Sequence, residues 1–286
     1  MSVLEKRVTY QELLEKGRSC LEETGIPDAD VDSFLLLEYI TGMSRGQFFL
    51  KSKDMATEKE MEQYGALIEK RSAHIPLQHI TGEQEFMGLP FYVNEYVLVP
   101  RQDTECLVEL AMDYVKGKKV LDMCTGSGCI AVSLMLLGKT LECHAVDVSK
   151  EALEVAKRNI ERNHAVVTLV ESNLFEKVTE EYDVIVSNPP YIPPKVIEEL
   201  SEEVKEHEPR LALDGGEDGL DFYRRITREC KEYLSESGFL FYEIGCEQAA
   251  DVMKIMQNEG FCEVKCQKDY AGNDRVVYGK LGAETF

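Results

Sequence analysis

The apolar positions of this chain change their period along its length. Up to about residue 75 they recur at helical spacing. Tyr10, Leu13, Leu14 and Leu21 trace one face of a first helix, which Gly25-Ile26-Pro27 ends. A second helix is predicted over Val31–Ile40, stopping at Gly42. Thr57-x-x-Glu60 reads as a capping box, and Met61, Tyr64, Gly65 and Ile68 continue behind it on one face. No cluster of catalytic residue types falls in this stretch. It reads as a small helical bundle for partner binding or positioning.

Between 76 and 100 the helical period is lost. Pro76, Gly82, Gly88-Leu89-Pro90 and Asn94 punctuate short β-prone pieces such as Phe91-Tyr92-Val93, which predicts a β-hairpin linker. Asp103 is expected to cap the next helix, with Leu107, Leu110, Ala111 and Tyr114 on its inner face. From 118 onward, strand, loop and helix alternate. Strands are predicted at Lys119–Met123, Leu141–Val146, Val166–Val170, 182–187 and Gly238–Ile244. Helices are predicted at Gly128–Leu137, behind a Ser149 cap with Leu153, Ala156 and Ile160 inward, near 219–234, and at 247–258. Two strands near 261–267 and 274–280 follow. The alternation predicts an α/β fold with a mostly parallel sheet and helices on both faces. The expected division is a helical substrate-recognition unit over 1–75, a hairpin linker over 76–100 and an α/β unit over 101–286.

Composition then restricts the partners. Of 286 residues, 44% are hydrophobic, enough for a sizeable core. The formal charge of −21 repels phosphate backbones and counts against a groove-filling nucleic-acid binder. Nine cysteines are scattered without a C-x-x-C pair, as in a reducing cytosol. The N-terminal Met-Ser-Val-Leu-Glu-Lys-Arg lacks an apolar signal core, and no apolar run approaches the ~20 residues that span a bilayer. A soluble cytoplasmic protein, free of membrane, is expected. His74, His79, His144, His164 and His207 show no metal spacing, so no metal is expected. Glu198-Glu199-x-x-Glu202-Glu203 reads as a solvated helix face.

The chemistry concentrates at three strand ends. Asp122-Met123-Cys124-Thr125-Gly126-Ser127-Gly128 follows the first strand of the alternating region and opens a helix. Its glycines permit close backbone approach, and the helix N-terminus offers free N–H groups. It lacks the third glycine of a dinucleotide fingerprint, since residue 131 is Ala, and it lacks the Gly-Lys-Ser/Thr ending of a phosphate loop. An acid ahead of the loop, Asp122, suits a cationic ligand. Asp147 ends the next strand, where a carboxylate can accept both ribose hydroxyls. Asn173 and Leu174 follow the third strand, placed to meet an adenine edge and face. Asn188-Pro189-Pro190-Tyr191 follows the apolar run Tyr182-Asp183-Val184-Ile185-Val186. The prolines make a rigid extended turn. The Asn188 amide and the Pro189 carbonyl offer two acceptors, and Tyr191 an aromatic face, which together can grip a planar –NH₂ group.

These motifs resemble the class I S-adenosylmethionine-dependent methyltransferases, whose fold is Rossmann-like. The Asn-Pro-Pro-Tyr motif points to enzymes that methylate planar nitrogens. Pro76-Leu77-Gln78-His79-Ile80-Thr81-Gly82-Glu83, Val99-Pro100-Arg101-x-Asp103-Thr104-Glu105, Glu208-Pro209-Arg210-Leu211-Ala212-Leu213, Asp218-Gly219-Leu220-Asp221-Phe222-Tyr223 and Glu243-Ile244-Gly245-x-x-Gln248 narrow it further. From about 75 to 250 they resemble the bacterial peptide chain release factor glutamine methyltransferase family. The resemblance implies S-adenosylmethionine as cofactor, held by Arg101, Thr125, Gly126, Ser127, Gly128, Asp147, Asn173, Leu174 and Asn188. It implies a substrate site of Asn188, Pro189, Pro190 and Tyr191, with Asn188, Pro189 and Tyr191 catalytic. The implied substrate is the glutamine of the Gly-Gly-Gln motif of class 1 release factors, met by a monomer that binds no nucleic acid directly. Two positions depart from the family pattern: Cys124 stands where Gly is usual, and Gln102 where Pro is frequent. The competing reading is a methyltransferase acting on adenine or another base of DNA or RNA, which would call for a basic groove. A third is a non-catalytic adaptor on a nucleoside-binding fold.

Overall fold

The computed structural model describes residues 8–282, so the N-terminal heptapeptide read above lies outside the described residues. The chain forms two compact units. One holds the residues up to Gly82 with Glu202–His207; the other holds Glu83–Ser201 and the chain from Glu208 onward.

The first unit is helical: α1 (Tyr10–Glu23), α2 (Ala29–Thr41), α3 (Arg45–Lys51), α4 (Glu58–Ser72) and α5 (Leu77–Thr81), joined later in the chain by α10 (Glu202–His207). Three helices start on capping boxes, Thr9 with Glu12, Ser44 with Gln47 and Thr57 with Glu60. Each box satisfies two otherwise orphaned N–H groups. Leu13, Leu21, Leu36, Leu37, Tyr64 and Ile68 form the core. Two helices were not expected. α3 is announced by Ser44-x-x-Gln47, and α5 occupies residues expected to be β-prone. The acidic stretch near 200 also departs from a purely solvated face. The buried Arg71 donates to Asp32 at 2.7 Å and to Glu203 of α10 at 2.7 Å.

The second unit opens with the hairpin β1 (Glu83–Phe86) and β2 (Leu89–Tyr92), then α6 (Gln102–Val115). The α6 N-cap is Arg101, in extended backbone, so Asp103 lies inside the first turn and does not cap it. There it favours the positive end of the helix dipole and pairs with Arg275 at 3.0 Å. A sheet of seven strands follows: β3 (Lys119–Met123), β4 (Glu142–Asp147), β5 (Thr168–Glu171), β6 (Tyr182–Ser187), β7 (Leu234–Glu243), β8 (Phe261–Lys268) and β9 (Asp274–Leu281). Their order is β5-β4-β3-β6-β7-β9-β8, parallel except for β9. The helices are α7 (Cys129–Leu136), α8 (Lys150–Arg162), the short α9 (Pro194–Ile197), α11 (Asp221–Glu229) and α12 (Ala249–Asn258).

Alternation along the strands splits the core. Leu121, Met123, Ile185, Leu240 and Tyr242 pack with Tyr223, Ile226, Val252 and Met256 of α11 and α12. Val120, Val184, Val186 and Phe241 pack with Leu107, Ala111, Ile130 and Val132 of α6 and α7. Central strands buried on both faces read as near-continuous apolar runs, as 182–187 does. Strand order reverses between the parallel neighbours β3 and β6: from β3 the chain moves outward through β4 to β5, and from β6 outward on the other side to β7. Open α/β sheets bind ligands in the crevice at such a reversal.

Candidate active site

The crevice is present at the C-terminal ends of β3 to β6. Its empty volume is about 1000 Å³, open solvent at the mouth included. Parallel pairing sets Met123 beside Ser187, and the Ser187 hydroxyl donates to the Met123 carbonyl at 2.6 Å. The loop after β3 and the Asn-Pro-Pro-Tyr turn after β6 are therefore locked side by side.

Arg101, Thr125, Gly126, Ser127, Asp147, Asn173, Leu174, Asn188 and Pro190 line the cleft. Gly128, Pro189 and Tyr191 are not part of its wall. Gly128 is the α7 N-cap at φ +80°, and a Cβ there would lie 3.2 Å from the Ala156 Cβ, so this glycine lets α8 approach. Cys124 adopts φ +65°, the left-handed backbone that favours glycine, which is the physical reason glycine suits this position.

Asp122 stands behind the loop. Its Oδ2 accepts from the Thr125 hydroxyl at 2.5 Å and from the Ala131 N–H at 3.1 Å, while its Oδ1 is buried without a hydrogen-bond partner. Burial pushes its pKa up to about 7. Asp147 lies in the wall itself. Its Oδ2 accepts from the Gly126 N–H at 2.9 Å and its Oδ1 from the Ser149 N–H at 3.0 Å. Each oxygen keeps lone-pair capacity for a further donor, so the carboxylate can take two vicinal hydroxyls. Burial raises its pKa, against the backbone N–H bonds that lower it. Leu174, at φ +51° and buried, and Phe222 supply apolar wall. The Asn173 side chain donates to Glu176 at 2.7 Å and accepts from Arg225 at 3.3 Å. An acid with free acceptor capacity, a close-approach backbone and apolar walls fit S-adenosylmethionine, a nucleoside that carries positive charge.

The turn after β6 is held from several sides. The Asn188 Nδ2 donates to the Thr104 hydroxyl at 3.3 Å. The Tyr191 hydroxyl turns inward and donates to Glu243 Oε1 at 3.3 Å. The Tyr191 carbonyl accepts from the Gln248 Nε2 at 3.0 Å, and Ile192 pairs with Asp214 in an isolated bridge. The Arg101 guanidinium donates to Glu208 at 2.6 Å, and that same carboxylate accepts from the Val99 N–H. The following residues Pro209, Leu211 and Ala212 close one side of the cleft.

Thr104, Phe222, Asn159 and Glu243 carry no individual signal of a role in the sequence. Asn159, wholly buried on α8, donates to the carbonyls of Tyr92 and Ser127 and accepts from the Tyr92 N–H, tying hairpin to loop. Its helical position carries no local signal. Thr104, Phe222 and Glu243 lie inside motifs noted above, whose spacing cannot tell which member faces which partner.

This sheet order, with a loop of this kind and a strand-end acid, defines an S-adenosylmethionine-dependent methyltransferase. The model of the PrmC N-terminal domain matches residues 12–82, and that of the methyltransferase small domain residues 102–217. A release factor glutamine methyltransferase from Geobacter sulfurreducens is 42% identical over 276 residues, covering 96% of this chain and 97% of the relative. One from Clostridium acetobutylicum is 40% identical over 280 residues, covering 95% and 98%. Among solved structures, a methyltransferase from Pyrococcus furiosus aligns with TM-score 0.55 at 22% identity, over 69% of this chain and 91% of that one, a likeness of fold. The chain belongs to the release factor glutamine methyltransferase family.

Proposed function

We propose that this chain transfers a methyl group from S-adenosylmethionine to the side-chain amide nitrogen of the glutamine in the Gly-Gly-Gln motif of class 1 peptide chain release factors. The observation that carries this reading is Asn188, fixed in the wall of the cleft by Thr104 and locked through Ser187 to the cofactor loop. The names of the relatives supply the substrate.

In this reading Asp147 takes the ribose hydroxyls, the backbone of Thr125–Ser127 approaches the cofactor, and Leu174 and Phe222 flank its base. When bound, the cofactor supplies an electrophilic methyl group on a positively charged sulfur. An amide nitrogen is a poor nucleophile because its lone pair is delocalised into the carbonyl. Asn188 Oδ1, in the wall, accepts one amide hydrogen, and the carbonyl of Pro189, the next residue of the same turn just outside that wall, accepts the other, which orients the nitrogen and stabilises positive charge developing on it. Pro190 keeps the turn rigid, and Tyr191 braces it from behind. No base is required before attack; the proton leaves after transfer. The helical unit serves substrate recognition. The acidic surface favours a protein over a nucleic-acid substrate, and the enzyme acts as a cytoplasmic monomer. No helix among the described residues is long and apolar enough to cross a membrane.

The test is mass spectrometry of a purified class 1 release factor incubated with the enzyme and labelled cofactor. One methyl group on the Gly-Gly-Gln glutamine is expected. Faster labelling of DNA or naked RNA, or no labelling of the factor, overturns the reading.

A further inference from the structure

Behind the Asn-Pro-Pro-Tyr turn lies a fully buried carboxylate that the chemistry above does not use. Glu243 ends β7 and is 3% exposed. Its Oε1 accepts from the Tyr191 hydroxyl at 3.3 Å. Its Oε2 is buried and takes no hydrogen bond of good geometry. The Thr104 hydroxyl is near enough to favour its charged form, as are Arg275 and the Tyr191 hydroxyl. Thr104 in turn accepts from the Asn188 amide. Of the two polar side chains of the motif, Tyr191 thus bonds this acid directly, and Asn188 bonds a hydroxyl, that of Thr104, which faces the same acid.

We propose that Glu243 is a positioning residue that sets which way round the Asn188 amide is presented to the substrate. Donor count decides the orientation, given the role of Asn188 proposed above. A threonine hydroxyl has one hydrogen to give and lone pairs to receive. With Glu243 ionised, that hydrogen is drawn to the carboxylate, and Thr104 can only accept from Asn188. The amide NH₂ is then held at Thr104 and its oxygen is left for the substrate. With Glu243 neutral, the acid becomes a donor. It competes for the Thr104 lone pairs, and the Thr104 hydrogen is freed to bond the Asn188 oxygen, which turns the amide round. The turned amide offers the substrate NH₂ group a donor where an acceptor is needed.

Glu243 can change state in the working range. Burial raises its pKa to about 7, against Thr104, Arg275 and Tyr191, which lower it. The groups facing it are Arg275 of β9, Asp103 of α6, Cys129 of α7, Tyr191 of the turn and Tyr223 of α11, whose hydroxyl donates to the Glu243 carbonyl at 2.9 Å. The tyrosine and cysteine pKa values are raised by burial, so these groups stay neutral near pH 7. Asp122 shares the range but sits behind the cofactor loop, and an Asp122→Asn control separates it.

The experiment is single-turnover methylation of a class 1 release factor at saturating S-adenosylmethionine from pH 6 to 8, with a calorimetric cofactor titration of each variant. The wild-type rate constant should rise about tenfold with one ionisation near 7, and Asp122→Asn should keep that rise. Glu243→Gln should lose it and run at least tenfold below the wild-type plateau, with cofactor affinity within about threefold. Thr104→Val should lose the rate similarly, and Thr104→Ser, which keeps the hydroxyl, should restore it. A flat wild-type profile, or a Glu243→Gln variant with the wild-type rate and slope, overturns the proposal. If Glu243→Gln does not fold, equal rates for Thr104→Val and Thr104→Ser overturn it instead. A wild-type enzyme that methylates no release factor sinks the functional reading, whereas an active enzyme indifferent to Glu243 and Thr104 sinks this inference alone.

Discussion

The Asp147 carboxylate accepts the Gly126 N–H at 2.9 Å, so the acid ending β4 also pins the loop that follows β3. One side chain therefore shapes the cofactor loop and offers the cofactor an acceptor. Asp147→Ala should weaken S-adenosylmethionine binding by roughly 2–4 kcal/mol, from two charge-assisted hydrogen bonds. Calorimetry on a folded variant checks this. Unchanged affinity would remove Asp147 from the site.

Asn188→Ala should act on the reaction more than on the cofactor. Loss of one preorganised acceptor typically costs about 10²–10³ in rate. Single-turnover methylation at saturating cofactor should show that loss while the cofactor titration shifts little. A near-normal rate constant would reduce the Asn-Pro-Pro-Tyr turn to a structural element.

Gly219 lies at φ +74°, and a Cβ there would come within 2.3 Å of the Tyr191 carbonyl oxygen. Gly219→Ala must displace the turn or strain its own backbone. Overpacking of this kind costs about 1–3 kcal/mol. We expect a slower methyl transfer with nearly intact cofactor affinity, measured on the same two assays. Equal loss of both would show that the displacement spreads to the cofactor loop.

Two buried acids predict a pH dependence of stability. Burial raises Asp122 and Glu243 to about 7 each, above their unfolded values near 4. The folded state holds the extra protons, so their contribution is fully present below pH 4 and is lost as pH rises towards 7. A tenfold difference in proton affinity between the folded and unfolded chain corresponds to about 1.4 kcal/mol. Asp122→Asn keeps an acceptor for Thr125 and Ala131 but cannot titrate. Its denaturation midpoint should fall less than that of the wild type between pH 4 and 7. Parallel curves would contradict the assignment.

Arg71→Met tests the helical unit. The arginine is 4% exposed and pairs with Asp32 and Glu203, both at 2.7 Å. Its removal leaves the buried Asp32 without its cation, which costs about 3–5 kcal/mol. Thermal unfolding should report a large drop, and Arg71→Met/Asp32→Leu should recover part of it. No recovery would mean that the drop comes from the bonds Arg71 makes to Glu203 and the Ile75 carbonyl and not from an unpaired Asp32.

Local chemistry along the chain was enough for much of this protein. The period of the apolar residues marked the central strands, because a strand buried on both faces must be continuously apolar. Thr57-x-x-Glu60 and Ser149 marked helix starts, because orphan N–H groups need acceptors close in sequence. Asp147 and Asn188 were legible because strand ends in a parallel sheet are where side chains meet a ligand. Helices α3 and α5 were missed, the first despite its capping box and the second because a single turn has too few residues to show a period. Asp103 was misplaced by two residues, since only backbone geometry shows where α6 begins. The tertiary structure alone decided what stands behind the site. Thr104, Asn159 and Glu243 reach partners 84, 67 and 52 positions away, and such distances leave no mark on a one-dimensional pattern. Hydrogen bonding between buried groups is settled by which strands are neighbours, and strand order follows from how the helices cover both faces of the sheet.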